Sequence, residues 1–173
     1  MKKLRNLSNP PKILAVVKKI EERKINGNVL VLDDIQDPGN LGTIIRSAVS
    51  FGIDTIVASK NTVDVYNSKV IRATEGMLFK INYLKRDLVE FIKANKDTLT
   101  FITTDVRTGK DIKDIEIPSN YALIMGNEGN GVSDAVSELV PNKVNIKISE
   151  KCESLNVSIA TSILLYELYT RLD

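Results

Sequence analysis

The sequence predicts an α/β domain with a mainly parallel β-sheet and helices on both faces. Three observations carry that expectation. Apolar, strand-like runs alternate with segments of helical periodicity along the chain. Two of the runs, Val29-Leu30-Val31-Leu32 and Tyr121-Ala122-Leu123-Ile124-Met125, are apolar throughout, as strands covered on both faces must be. A length of 173 residues, 43% of them hydrophobic, suits one domain with a substantial core.

The elements follow in order. Pro10-Pro11 separates a short tail from a helix expected at about 12–24, which Asn26-Gly27-Asn28 breaks. Val29–Leu32 is the first strand. Asp37-Pro38-Gly39 turns the chain, and from there Leu41, Ile44, Ile45, Ala48 and Val49 form a helical stripe that ends at Phe51-Gly52. Thr55–Ala58 is the second strand. A helix around Val65–Ala73 leads to Gly76 and a strand at Leu78–Tyr83. Asp87–Lys96 reads as helix, Leu99–Thr103 as strand, and Tyr121–Met125 as a buried strand ending on Gly126. A short helix near Ser133–Leu139 and a strand at Val144–Ile148 precede a closing helix over about Leu155–Arg171. Leu155, Val157, Ile159, Ala160, Ile163, Leu164, Leu165 and Leu168 leave little of that helix polar. Its surplus apolar face belongs either in a subunit interface or in the chain's own core.

Composition removes several classes of chemistry. There is no histidine, so Ser-His-Asp catalysis, His-ligated zinc and a histidine base are excluded. One cysteine, Cys152, excludes an internal disulfide and a multi-cysteine zinc site, and a cytoplasmic location is the expectation. No apolar run is long enough to span a bilayer, and the basic N-terminus has no signal-peptide core. The run Asp33-Asp34-Ile35-Gln36-Asp37 sits at a strand end and is broken by Pro38-Gly39, so it is not read as a metal site. Net charge is only +2, but residues 1–26 hold eight basic and two acidic side chains. A basic arm before a mildly acidic body suits contact with a polyanion, and equally suits a solvated tail.

Three polar, backbone-permissive blocks stand at the edges of apolar elements. The first is Asn40-Leu41-Gly42-Thr43-Ile44-Ile45-Arg46. Asn40 lies at the helix entrance, a favoured N-cap position, and Arg46 projects away from the apolar stripe. The junction could hold an anion beside a forked cation, or could be a capped amphipathic helix with one exposed arginine. The second block is Gly126-Asn127-Glu128-Gly129-Asn130-Gly131. It matches neither the Walker A loop nor the dinucleotide fingerprint. Three glycines permit close approach of backbone to a nucleotide-like ligand, with the Glu128 carboxylate facing it, or simply a turn capping the next helix. The third block is Ser154-Leu155-Asn156-Val157-Ser158. One of its polar residues caps the last helix, and Asn156 has both donor and acceptor for positioning a hydroxyl. Cys152 lies nearby, but no base accompanies it.

Together and in this order, the blocks resemble the three signature motifs of the SpoU/TrmH family of RNA 2′-O-methyltransferases, in the SPOUT superfamily. The likeness extends through Asp37–Gly42, Phe51-Gly52, Lys69–Thr74, Gly76, Thr104-Asp105 and Gly109, and covers roughly residues 28–170. Pro10–Val17 resembles the linker that joins an N-terminal RNA-binding domain to the catalytic one in many relatives. Residues 1–26 are therefore expected to be a basic tail and linker-like helix, and 27–173 the methyltransferase domain of a minimal member or a fragment.

The resemblance implies a C-terminal trefoil knot, a homodimer with its site near the interface, S-adenosylmethionine as methyl donor, and a ribose 2′-hydroxyl of RNA as acceptor; the linker-like N-terminus favours ribosomal over transfer RNA. By the same carry-over, Thr104, Gly126, Ile146 and Leu155 hold the cofactor. Arg46 is the central catalytic residue, with Asn40, Glu128, Ser154 and Asn156 completing the site. One departure is Ile146-Lys147-Ile148 where relatives carry an Ile-Pro-Met-like triplet, which loosens the cofactor loop and puts its affinity in question. Two other classes compete: a non-catalytic RNA-binding module of the same fold, and an unknotted nucleotide-binding domain, which leaves the third block unexplained.

Overall fold

Strand β1 (Val29–Leu32) has all four side chains buried, and alternate residues serve two different cores. Leu30 and Leu32 point into a core shared with Ile44 and Ile45 of α1 (Pro38–Ser50) and with Leu164, Leu165 and Leu168 of α5 (Val157–Thr170). Val29 and Val31 point the other way. They meet Leu88, Phe91 and Ile92 of α3 (Leu88–Asn95) and Val136 of α4 (Asp134–Ser137). The computed structural model behind this description covers residues 16–172.

The remaining strands are β2 (Thr55–Ala58), β3 (Asn82–Lys85), β4 (Thr100–Thr104), β5 (Lys110–Asp111), β6 (Tyr121–Met125) and β7 (Lys143–Asn145). The sheet order is β3-β2-β1-β6-β4-β7-β5, and each pairing is parallel. Helices lie on both faces, as parallel crossovers require. The chain builds outward from β1 to β3 and then continues on the other side of β1. The carboxyl ends of β1 and β6 therefore border a topological switch point, where open α/β sheets present a ligand crevice. A further short helix, α2 (Ser68–Ala73), packs against α1 so tightly that a Cβ on Gly42 would come within 2.3 Å of the Ala73 Cβ.

Four expectations need correction. The helix at about 12–24 is not formed over 16–24, and residues 12–15 lie outside the described residues. The backbone N–H of Arg23 donates to Asn82 Oδ1 and its carbonyl accepts from Asn82 Nδ2, so both groups are engaged by the sheet edge. The strand expected at Leu78–Tyr83 is instead a 3-10 turn, Met77–Lys80, entered through Gly76 at φ 82°, and β3 begins at Asn82. Leu78 is apolar because it packs into the α1 core, not because it lies in the sheet. β7 stops at Asn145, three residues short of the expected end, while β5 has only two residues and was too short to read. Finally, α1 starts at Pro38 with Asp37 as N-cap, its carboxylate accepting the Asn40 N–H at 2.8 Å. Asn40 lies inside the first turn, so its side chain is available for something other than capping.

Candidate active site

The loops after β1 and β6 meet across the switch point, and each is held by an acidic or amide side chain at its root. Asp33, buried at the end of β1, accepts both the N–H and the hydroxyl of Ser133, at 2.8 and 2.7 Å. Asp34 adopts φ 59° and accepts from the Ser59 hydroxyl and from Asn61 Nδ2. These contacts engage the aspartates of the Asp33–Asp37 run as structural acceptors.

The glycine block forms a closed turn. Asn127 and Gly131 exchange backbone hydrogen bonds of 2.8 and 3.0 Å. Asn127 Oδ1 accepts the N–H groups of Gly129 and Asn130, and its Nδ2 donates to the Asp34 carbonyl at 2.8 Å. The turn folds back so closely on the end of β6 that a Cβ on Gly126 would lie 2.1 Å from both Gly131 C and Val132 N. Glycine at 126 is a packing requirement.

Glu128 does not stand free at the turn. Its carboxylate reaches back to the loop after β1, where Oε2 accepts the Gln36 N–H at 3.2 Å. Its Oε1 accepts the Asp37 N–H and Asn40 Nδ2, both at 3.1 Å. Burial alone would raise the carboxyl's pKa. The bonds from Asn40 and from backbone N–H groups outweigh it and hold the group below the ordinary carboxylate value.

The network continues into the third block. Asn156 Nδ2 donates to Asn40 Oδ1 at 3.1 Å. Asn156 Oδ1 accepts the N–H and the hydroxyl of Ser158, at 2.9 and 2.7 Å, so Asn156 is the N-cap of α5. Glu128, Asn40 and Asn156 thus form one relay through all three sequence blocks. Each amide is fixed in rotation by a partner on either side, and each keeps unused hydrogen-bonding capacity.

The other candidate residues make no hydrogen bond or ion pair to this relay through their side chains among the described residues. Arg46 is exposed on α1, and its side chain makes no ion pair or hydrogen bond among the described residues. Ser154 is exposed and lies outside the relay, with its carbonyl accepting from Cys152 Sγ. Thr104 is the last residue of β4, and Gly126 and Ile146 directly follow β6 and β7, so the three stand at the carboxyl ends of neighbouring strands; Ile146 and Leu155 are half-buried. Asp33, Asn127, Ser133 and Ser158 hold these loops in place, although none of them is among the expected catalytic or cofactor-binding residues. An aspartate at a strand's last turn and an asparagine two residues before a glycine were the available signals.

Comparison with known proteins fits this arrangement. The model of the SpoU rRNA methylase family matches residues 27–166. The 23S rRNA (guanosine(2553)-2′-O)-methyltransferase RlmP of Bacillus subtilis is 36% identical over 161 residues, covering 92% of this chain and 65% of that protein. The AdoMet-bound rRNA methyltransferase from Sinorhizobium meliloti superposes with a TM-score of 0.80 at 29% identity, over 88% of this chain and 59% of that one. The SpoU methyltransferase AviRb from Streptomyces viridochromogenes, in complex with AdoMet, gives 0.77 at 26% identity, over 88% and 59%. This chain therefore spans somewhat under two thirds of the length of these relatives.

Proposed function

The chain belongs to the SpoU rRNA methylase family, and on that premise we propose that it transfers a methyl group from S-adenosylmethionine to a ribose 2′-hydroxyl of ribosomal RNA. The observation that carries this reading is the Glu128–Asn40–Asn156 relay, which unites the three blocks at the start of the helix that also carries Arg46, exposed and without a side-chain partner among the described residues.

The loops after β4, β6 and β7 suit the cofactor. Half-buried Ile146 and Leu155 offer apolar surface to an adenine ring, and Gly126, at the end of β6, offers its backbone polar groups. Thr104 adds a hydroxyl at the end of β4, which donates to the Ile124 carbonyl at 3.4 Å. When bound, S-adenosylmethionine supplies an electrophilic methyl group.

The chain's own residues provide positioning and charge. A sugar hydroxyl is a weak acid and a poor nucleophile. Arg46 binds the phosphate beside the target ribose and lowers the cost of negative charge developing on the 2′ oxygen. The hydroxyl's proton passes to solvent water beside that guanidinium–phosphate pair as the oxygen is methylated. Asn156, with Ser154, orients the hydroxyl. Asn40 and Glu128 act one step back by fixing the Asn156 amide.

The reading extends to the assembly. Ile159, Tyr166 and Tyr169 form an outward apolar stripe on α5, 42–52% exposed, and α5 begins at the relay, which supports a homodimer with the site at its edge. A C-terminal knot is supported by the seating of β7 between β4 and β5. Gly109 presses on the Val144 backbone, and Asn145 Nδ2 donates to the Gly109 carbonyl at 2.6 Å. A cytoplasmic location follows from an RNA substrate, and no helix among the described residues is long and apolar enough to cross a membrane.

The test uses labelled S-adenosylmethionine and 23S rRNA transcribed in vitro. Label is expected on a ribose. The Arg46→Ala protein should bind the cofactor normally and lose at least ~100-fold in transfer. No label with the wild-type protein would end the proposal.

A further inference from the structure

We infer that the exposed side of α2 and the 3-10 turn after it form a track for the RNA strand flanking the target nucleotide. The inference rests on the proposed RNA substrate and adds where that substrate lies.

Lys69 and Arg72 are one helical turn apart on α2, and both are exposed. Lys80 closes the 3-10 turn and is exposed as well. None of the three enters an ion pair among the described residues. The turn also carries Phe79, a large aromatic side chain that is 66% exposed. Cations around a bare aromatic ring suit a single strand: the cations meet phosphates and the ring stacks on an unpaired base. The acidic groups of this surface are Glu75, at φ 48° between the helix and the turn, and Asp64, whose carboxylate accepts the Tyr66 N–H. Together they leave the patch cationic.

Position ties the track to the site. Ala73 follows Arg72 and packs against Gly42 of α1. Arg46 lies one turn beyond Gly42 on the same side of α1. At the other end, α2 is preceded by Tyr66, whose hydroxyl accepts the Ile20 N–H and whose ring lies 4.9 Å beneath Lys19 Nζ. The basic segment before β1 is thereby moored at the start of α2. The cations run in sequence from Lys19 through Lys69 and Arg72 to Arg46.

The test compares wild-type protein with Lys69→Ala/Arg72→Ala and with Phe79→Ala, using 23S rRNA transcribed in vitro as probe. The double variant should bind it about tenfold more weakly at physiological ionic strength. Its plot of log affinity against log salt should be shallower by roughly 1.5, the loss of two phosphate contacts. Phe79→Ala should weaken binding about tenfold with the salt slope unchanged. S-adenosylmethionine affinity, melting temperature and sedimentation should match wild type in both. Wild-type affinity and slope in the double variant, with normal methyl transfer by the parent, would overturn the track alone. So would a loss of affinity accompanied by a change in oligomeric state. A wild-type protein that binds the RNA through these residues but transfers no methyl group would support the track and overturn the reaction.

Discussion

Asn40 and Asn156 lie 116 residues apart in sequence and are joined by one 3.1 Å hydrogen bond, Asn156 Nδ2 donating to Asn40 Oδ1. The bond ties the first turn of α1 to the start of α5. The same Asn156 side chain caps α5 through its oxygen. Stability and site geometry therefore meet in one amide, and substitution can separate them.

Asn156→Ala removes both contacts. Loss of the cap should cost about 1 kcal/mol, a fall of some 2–4 °C in melting temperature for a domain of this size. Asn156→Ser restores a capping oxygen but cannot reach Asn40, so its melting temperature should stay close to wild type. Both should lose at least ~10-fold in methyl transfer, because the amide that orients the 2′-hydroxyl is gone. A serine variant that melts and methylates like the parent would show that the bridge has no part in the reaction.

Glu128 makes a prediction in pH. Its carboxyl sits below its ordinary value of 4.5 in the folded protein. A depressed folded pKa stabilises above the unfolded value and is lost as pH falls through the folded one. The relay should therefore be intact at neutral pH and dissolve only below about pH 4.5. The side-chain amide signals of Asn40 and Asn156 should shift together in that acid range in an NMR titration, and a midpoint at or above the ordinary carboxylate value would contradict the relay. Glu128→Gln leaves at least one of three N–H donors without an acceptor. Because the carboxylate is partly in water, the cost should be about 1 kcal/mol, at the low end for such a loss.

Where burial was continuous, the sequence was transparent. β1, β2 and β6 fall where the expected strands lay, because strands covered on both faces are buried from end to end, down to Thr55 at the start of β2. The errors arise where a local pattern is overruled by a distant partner. Asn82 opens β3 and is buried at 2% exposure because the Arg23 backbone satisfies its amide from 59 residues away, a pairing that no local pattern shows. Leu78 and Phe79 look like strand residues, but Leu78 packs under α1 and Phe79 faces solvent. The site was legible as three blocks but not as a relay. That Glu128 turns inward to Gln36, Asp37 and Asn40 depends on two loops meeting across the sheet, which no spacing encodes.

The glycine turn gives a paired stability prediction. A Cβ at Gly126 would overlap backbone atoms of Gly131 and Val132, neither of which can move without breaking the turn. Gly126→Ala should therefore destabilise by ~3 kcal/mol or more and yield little folded protein. At Gly129 the nearest atom is Asn127 Oδ1 at 3.6 Å, an ordinary contact. Gly129→Ala should stay within about 0.5 kcal/mol of the parent. Thermal melts of the pair check the claim, and equal stabilities would show that the close approach at Gly126 is not a constraint.

The outer face of α5 carries the last prediction. Its inner face is complete, with Leu164, Leu165 and Leu168 buried in the core. Ile159 and Tyr166, two turns apart on the other side, are each 52% exposed, and the Tyr166 ring packs edge-on to Phe51 at 5.9 Å. Such a stripe continues outward from an already filled core, and a second copy of the chain would cover it. Wild-type protein should therefore sediment as a dimer. Ile159→Asp/Tyr166→Asp places two charges where that contact must exclude water, which costs more than the contact can return. The variant should sediment as a folded monomer with an unchanged circular dichroism spectrum. Methyl transfer should fall with it, since Asn156 caps α5 only three residues before Ile159. A monomeric parent, or a doubly charged variant that remains dimeric, would move the interface elsewhere on the molecule.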